Sequence, residues 1–137
     1  MIVLDEQLAD PQIISSIEHW YKGKVIVIGE ARPQTRVTDD VIPVLLRRLK
    51  GPTFVTINYE DFWRKIPANS AYCVICFKLT GKRSGEVPGA LREILSRPEW
   101  RTKSGRMGAV ISVSARRVVF YSARHQHIKF GHLTKRN

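Results

Sequence analysis

Residues 38–61 read TDDVIPVLLRRLKGPTFVTINYED, and the architecture can be inferred from them. Thr38-Asp39-Asp40 opens a helix whose residues Val41, Ile42, Leu45, Leu46 and Leu49 recur at helical spacing and form one apolar side. Gly51-Pro52 stops that helix. Thr53 to Ile57 (TFVTI) follows as a continuous uncharged run, the pattern of a strand covered on both faces. A helix that returns to a fully covered strand is the repeating unit of a parallel sheet. Asn58, Glu60 and Asp61 come directly off the end of this strand.

The same alternation fills the chain on either side. Ile2 to Leu4 is a short strand ending in Asp5. Asp10-Pro11 supplies an N-cap and a first helical residue, and Ile13, Ile14, Ile17, Trp20 and Tyr21 share one helical face up to Gly23. Lys24 to Ile28 is a second strand, and 29–38 is a loop containing Pro33. Beyond residue 58 come a loop or short helix to Lys65, a strand over Ala71–Phe77 and a flexible basic connection from Lys78 to Glu86. A helix over Val87–Ser96 and a hairpin of Ala109–Val113 with Val118–Tyr121 complete the set. Cys73 and Cys76 lie three apart in the 71–77 strand, so they point to opposite faces and act as small core hydrophobes rather than a metal or redox pair. The expected fold is α/β, with a mostly parallel sheet between helical layers and an antiparallel hairpin at its end. Residues 1–123 form the domain, and 124–137 (RHQHIKFGHLTKRN) read as a basic tail.

The 137 residues are 43% hydrophobic and 26% charged, which fits one domain and excludes a disordered chain, a collagen-like repeat and a disulfide scaffold. No apolar run approaches the ~20 residues of a membrane-spanning helix. The start, MIVLDEQLAD, lacks the basic region of a secretory signal, so the expected location is the cytoplasm, with no membrane partner. The formal charge is +11 and unevenly spread: residues 1–61 carry 7 basic and 9 acidic side chains, residues 62–137 carry 16 and 3. A cationic surface of this kind favours polyanions through counterion release, which makes nucleic acid the first partner to consider and an acidic protein the second. Lys82, Arg83, Arg101, Lys103 and Arg106 are the candidate strand contacts.

In an open parallel sheet, ligands bind beyond the carboxyl ends of the strands. The chain order delivers Asp5 and Glu6 there after the first strand, Asp39 and Asp40 on the return from the second, and Asn58, Glu60 and Asp61 after the third. Carboxylates gathered this way repel unless a cation lies between them, and oxygen ligands suit Mg²⁺ or Mn²⁺. Simpler roles compete at each position. Asp39 is equally well placed as an N-cap, Asp40 fits a solvated first-turn acid, and Asp61 could cap a short helix beginning at Phe62. At Asp5, at the tip of a buried strand, a functional role is favoured over a structural one, because a charge there is costly without a partner. Asn58 offers a neutral oxygen.

Three blocks, V-L-D-E-Q-L at 3–8, T-D-D-V-I-P-V-L at 38–45 and F-V-T-I-N-Y-E-D-F-W at 54–63, stand in order at these positions. Together they resemble the signatures of PIN-like proteins, in particular the branch that opens L-L-D-E-N-L and continues with S-D-E-E-I-L and V-T-x-D-x-D-F. The resemblance implies a PIN fold, an acidic pocket binding Mg²⁺ or Mn²⁺, and endoribonuclease cleavage of a phosphodiester. Asp5, Asp39 and Asp61 match the acids of the three blocks, Asp61 with one residue inserted, and Asp40 and Asn58 would assist at the metal. Members often act as the toxin of a toxin–antitoxin pair, so single-stranded RNA, an antitoxin protein and a second copy in a homodimer are the partners implied. Asn58 stands where the branch has Asp, and Gln7 where it has Asn. An amide in place of a carboxylate removes a unit of charge, so the alternative is a catalytically weak PIN-like module that binds nucleic acid or a partner.

Overall fold

Uninterrupted apolar runs become strands: β1 (Ile2–Leu4), β2 (Val25–Val27), β3 (Thr53–Thr56), β4 (Cys73–Phe77), β5 (Ala109–Ser114) and β6 (Arg117–Ser122). A further strand, β7 (Lys129–His132), follows. The helices are α1 (Pro11–Trp20), α2 (Ile42–Arg48), α3 (Tyr59–Phe62), α4 (Val87–Leu95) and α5 (Lys103–Arg106). These come from a computed structural model that describes residues 1–31, 38–115, 117–123 and 129–132.

One sheet has the order β2-β1-β3-β4-β5-β6-β7. Its first five strands are parallel, and β6 and β7 run antiparallel to their neighbours. The α/β architecture, the helical layers and the closing hairpin are those expected from the sequence. Alternate residues of each strand feed two cores. On one face, Ile2, Leu4, Val55, Ile75 and Ile111 pack under Ile13 and Ile17 of α1 and Leu91 and Ile94 of α4. On the other, Val3, Phe54, Val74 and Val110 pack under Ile42, Leu45 and Leu46 of α2 and Phe62 of α3. Cys73 belongs to the first core and Cys76 to the second, both free and buried. Burial pushes the Cys73 thiol up to about 12 and raises that of Cys76 as well.

Several boundaries differ from the sequence reading for local reasons. Helix α2 begins at Ile42 rather than beside Asp39. With Asp39 as the cap, Pro43 would have to donate the first helical hydrogen bond, and proline has no N–H. The proline is accommodated in the first turn instead. The cap position is Val41, without a side-chain bond, so Asp39 is no N-cap. Ile28 leaves β2 for a 3-10 turn over Ile28–Ala31, and residues 32–37 of the expected loop lie outside the described residues. The basic connection after β4 contains a 3-10 segment, Gly81–Glu86. Within the stretch read as a tail, Lys129–His132 pairs with β6, while 124–128 and 133–137 lie outside the described residues. Among the described residues no helix is long and apolar enough to cross a membrane.

Candidate active site

The sheet reverses direction of growth at β1: β2 adds on one side of it and β3 on the other. The crevice at such a switch point is where open α/β sheets bind ligands. Register fixes what stands there. Ile2 pairs with Thr53 and Leu4 with Val55, so the next residues, Asp5 and Thr56, face each other at the carboxyl edge. By strand alternation both side chains project to the side of Val3 and Phe54, the face covered by α2 and α3.

Asp5 is 7% exposed. Thr56 Oγ1 donates to its Oδ2 at 2.6 Å, and the Glu6 backbone N–H donates to its Oδ1 at 2.8 Å. Burial raises the Asp5 carboxyl above the usual aspartate value; the two hydrogen bonds pull it down and the charge of Asp61 pushes it up. The Thr56 hydroxyl also accepts from the Asn58 backbone N–H at 2.9 Å, and Asn58 Nδ2 donates to Asp61 Oδ2 at 2.7 Å. A continuous polar chain thus runs from Asp5 through Thr56 and Asn58 to Asp61. Asp61 is an exposed residue within α3, so of its two sequence readings the cap of a helix beginning at Phe62 is not the one it adopts.

Asp39 arrives from the other side, on the segment leading into α2, and lines the same cleft as Asp61. Desolvation raises the Asp39 carboxyl, and the neighbouring Asp61 and the charges of Asp5 and Asp40 raise it further. Asp40 accepts from Thr38 Oγ1 at 2.5 Å and lines a cleft of about 430 Å³ together with Asp39, Asp61, Arg47 and Lys65. The three acids expected at one edge are therefore brought together, with Asp40 and Asn58 at their flanks. Among the described residues no three His, Cys, Asp or Glu side chains are gathered closely enough to hold a metal ion as they stand. The donors are all oxygen, the chemistry of a hard cation.

The cationic residues divide between the two ends of the sheet. Lys82 and Arg83 lie in the 3-10 segment beyond β4, at the carboxyl edge. Arg83 is already engaged, its guanidinium donating to both carboxylate oxygens of Glu86 at 2.6 and 2.9 Å. Helix α4 carries the chain back to the amino edge, where Gly108 N–H bonds to Tyr72 C=O ahead of β5. Arg101, Lys103 and Arg106 sit in this amino-edge segment, away from the carboxylates. Arg106 corrects the sequence reading outright. It is 5% exposed, donating to Thr53 Oγ1 at 2.8 Å and to the Trp100 carbonyl at 3.2 Å, and so is an internal clamp rather than a surface contact.

Two groups at the site were missed. Thr56 orients Asp5, and the sign of it was the threonine one residue past the apolar pair Phe54-Val55. Lys78 follows β4 directly and so stands at the carboxyl edge by the same topology that placed the acids. Set beside family models, curated proteins and solved structures, the chain matches none, and the chemistry of the site rests on its own residues.

Proposed function

We propose that the chain is a metal-dependent phosphodiester hydrolase of the PIN-like class, acting on cytoplasmic RNA. The observation that carries this reading is that Asp39 and Asp61, from separate elements, line one cleft beside Asp5, which is buried at the switch point. Mg²⁺ or Mn²⁺, when bound, would supply an activated water and offset charge at the phosphorus. Asp5 would be the fixed ligand, since Thr56 and the Glu6 N–H hold its rotamer. Asp39 and Asp61, which line one cleft, would complete the acidic wall. Asn58 positions Asp61 through its amide. A small antitoxin-like protein covering the cleft, or a second copy of the chain, is the regulatory partner this reading admits.

The test is a gel assay on mixed single-stranded RNA with Mn²⁺ or with EDTA, using wild type and Asp5→Asn. Cleavage that requires both the metal and Asp5, with Asp5→Asn still folded, is expected; unchanged cleavage in Asp5→Asn would overturn the assignment. The second reading, a catalytically weak binding module, is favoured by one observation: the Asn58 amide occupies Asp61 where a carboxylate would have added charge. RNA binding that persists in EDTA, with intact RNA in Mn²⁺, selects it.

A further inference from the structure

A groove of about 480 Å³ opens next to the carboxylates, lined by Gln7, Asn58, Tyr59, Lys78 and Thr80 among others. Asn58 joins it to the acidic cleft through its bond to Asp61. The ring of Tyr59 is held from behind: it stacks on Trp63 with centroids 6.1 Å apart, and Trp63 leans on Tyr121 at 5.3 Å. Its hydroxyl accepts from Ser112 Oγ at 3.2 Å. Lys78 Nζ stands over the same ring, 5.3 Å from its centre, and Lys78 is exposed. A braced aromatic surface beneath an exposed cation is the arrangement that takes a base on its π-face and a phosphate on its charge.

We propose that this groove seats one nucleotide of a single-stranded nucleic acid, its base stacked on Tyr59 and its phosphate on Lys78, next to the scissile bond. The inference rests on the phosphodiester reading above and adds to it a base-stacking subsite and the residues that form it: a base paired within a duplex cannot reach the ring, so single strands are preferred. Lys78 leaves the ring for the phosphate, and the base takes its place. RNA and DNA share the chemistry of this contact.

The test is fluorescence anisotropy in EDTA with short single-stranded RNA, matched DNA and matched duplex, so that binding is read without cleavage. Tyr59→Ala is expected to weaken single-strand binding by roughly fivefold to a hundredfold, while Tyr59→Phe stays near wild type because the ring remains. Lys78→Ala, at an exposed position, should weaken binding and lower the salt slope by about 0.7; it keeps the test open if Tyr59→Ala does not fold. A loss shared by RNA and DNA supports contact through base and phosphate alone, and a loss confined to RNA supports contact that also uses the 2′-hydroxyl. Unchanged affinity in folded Tyr59→Ala, or equal binding of duplex, overturns the proposal and leaves the groove to a protein partner. The two readings fail separately. Metal- and Asp5-dependent cleavage with Tyr59-independent binding sinks the groove alone; Tyr59-dependent binding without cleavage sinks the nuclease alone.

Discussion

Asp5 links stability to chemistry. Its folded carboxyl is raised above the unfolded value of 3.8, chiefly by burial, so the folded state holds this proton more tightly than the unfolded chain. The stability it contributes is fully present below pH 3.8 and is lost as pH rises through the raised folded value. Thermal unfolding followed across this window should show wild type losing stability relative to Asp5→Asn as pH increases. Asp39, raised in the same direction, remains in the variant and keeps part of the slope. Mn²⁺ at neutral pH should then stabilise the wild type by relieving the crowded acids, by about 2.7 kcal/mol at a hundredfold excess over Kd, seen as a higher melting temperature, and stabilise Asp5→Asn far less. A flat difference curve, with no response to Mn²⁺, would remove Asp5 from any metal role. Asp5 and Asp39 were legible in the sequence because topology alone delivers them to one edge. The Asp5–Thr56 bond was not, since it depends on the β1–β3 register, which joins residues 51 positions apart.

At the level of elements, apolar runs announced the strands, and proline and glycine announced most of the breaks. Gly51, at φ 57°, turns the chain from α2 into β3, and a Cβ there would strike the Lys103 side chain. That close approach belongs to the segment the sequence left unassigned. Helix α5 (KSGR) has no apolar face to reveal it; it is anchored by the Thr102 hydroxyl, which accepts from Gly105 N–H at 3.0 Å, and by the buried Arg106. A buried arginine bound to Thr53 and to the Trp100 carbonyl ties α5 to the amino end of β3. Arg106→Ala leaves both partners unsatisfied, a cost of about 1–3 kcal/mol for each buried group so exposed. Urea denaturation should register this loss, while affinity for RNA stays at the wild-type value. Weaker RNA binding in a folded Arg106→Ala protein would restore the residue to the surface role its charge suggested.

Over the whole molecule, neither the strand order nor the way the crossovers lie could be read from the chain. Helices α1 and α4 share one face, yet β1→β2 and β4→β5 step in opposite directions across the sheet. The two crossovers therefore have opposite hands, and one departs from the right-handed rule that a sequence reader would apply. The consequence for function is where the cations end up. The cations do not form one basic surface: Arg101 and Lys103 lie at the amino edge, whereas Arg47, from the acidic half of the chain, and Lys65 line the cleft that holds Asp39 and Asp61. On the proposed phosphodiester reading, a strand held at the carboxylates meets the second pair, and every phosphate it places there releases counterions. Replacing Arg47 and Lys65 by alanine should therefore flatten the plot of log affinity against log salt for single-stranded RNA, by roughly 0.7 for each phosphate that no longer meets a cation. Replacing Arg101 and Lys103 should leave the slope as it was. The opposite result would put the bound strand at the amino edge, a sheet's length from the acids, and the carboxylates could not then be what cuts it.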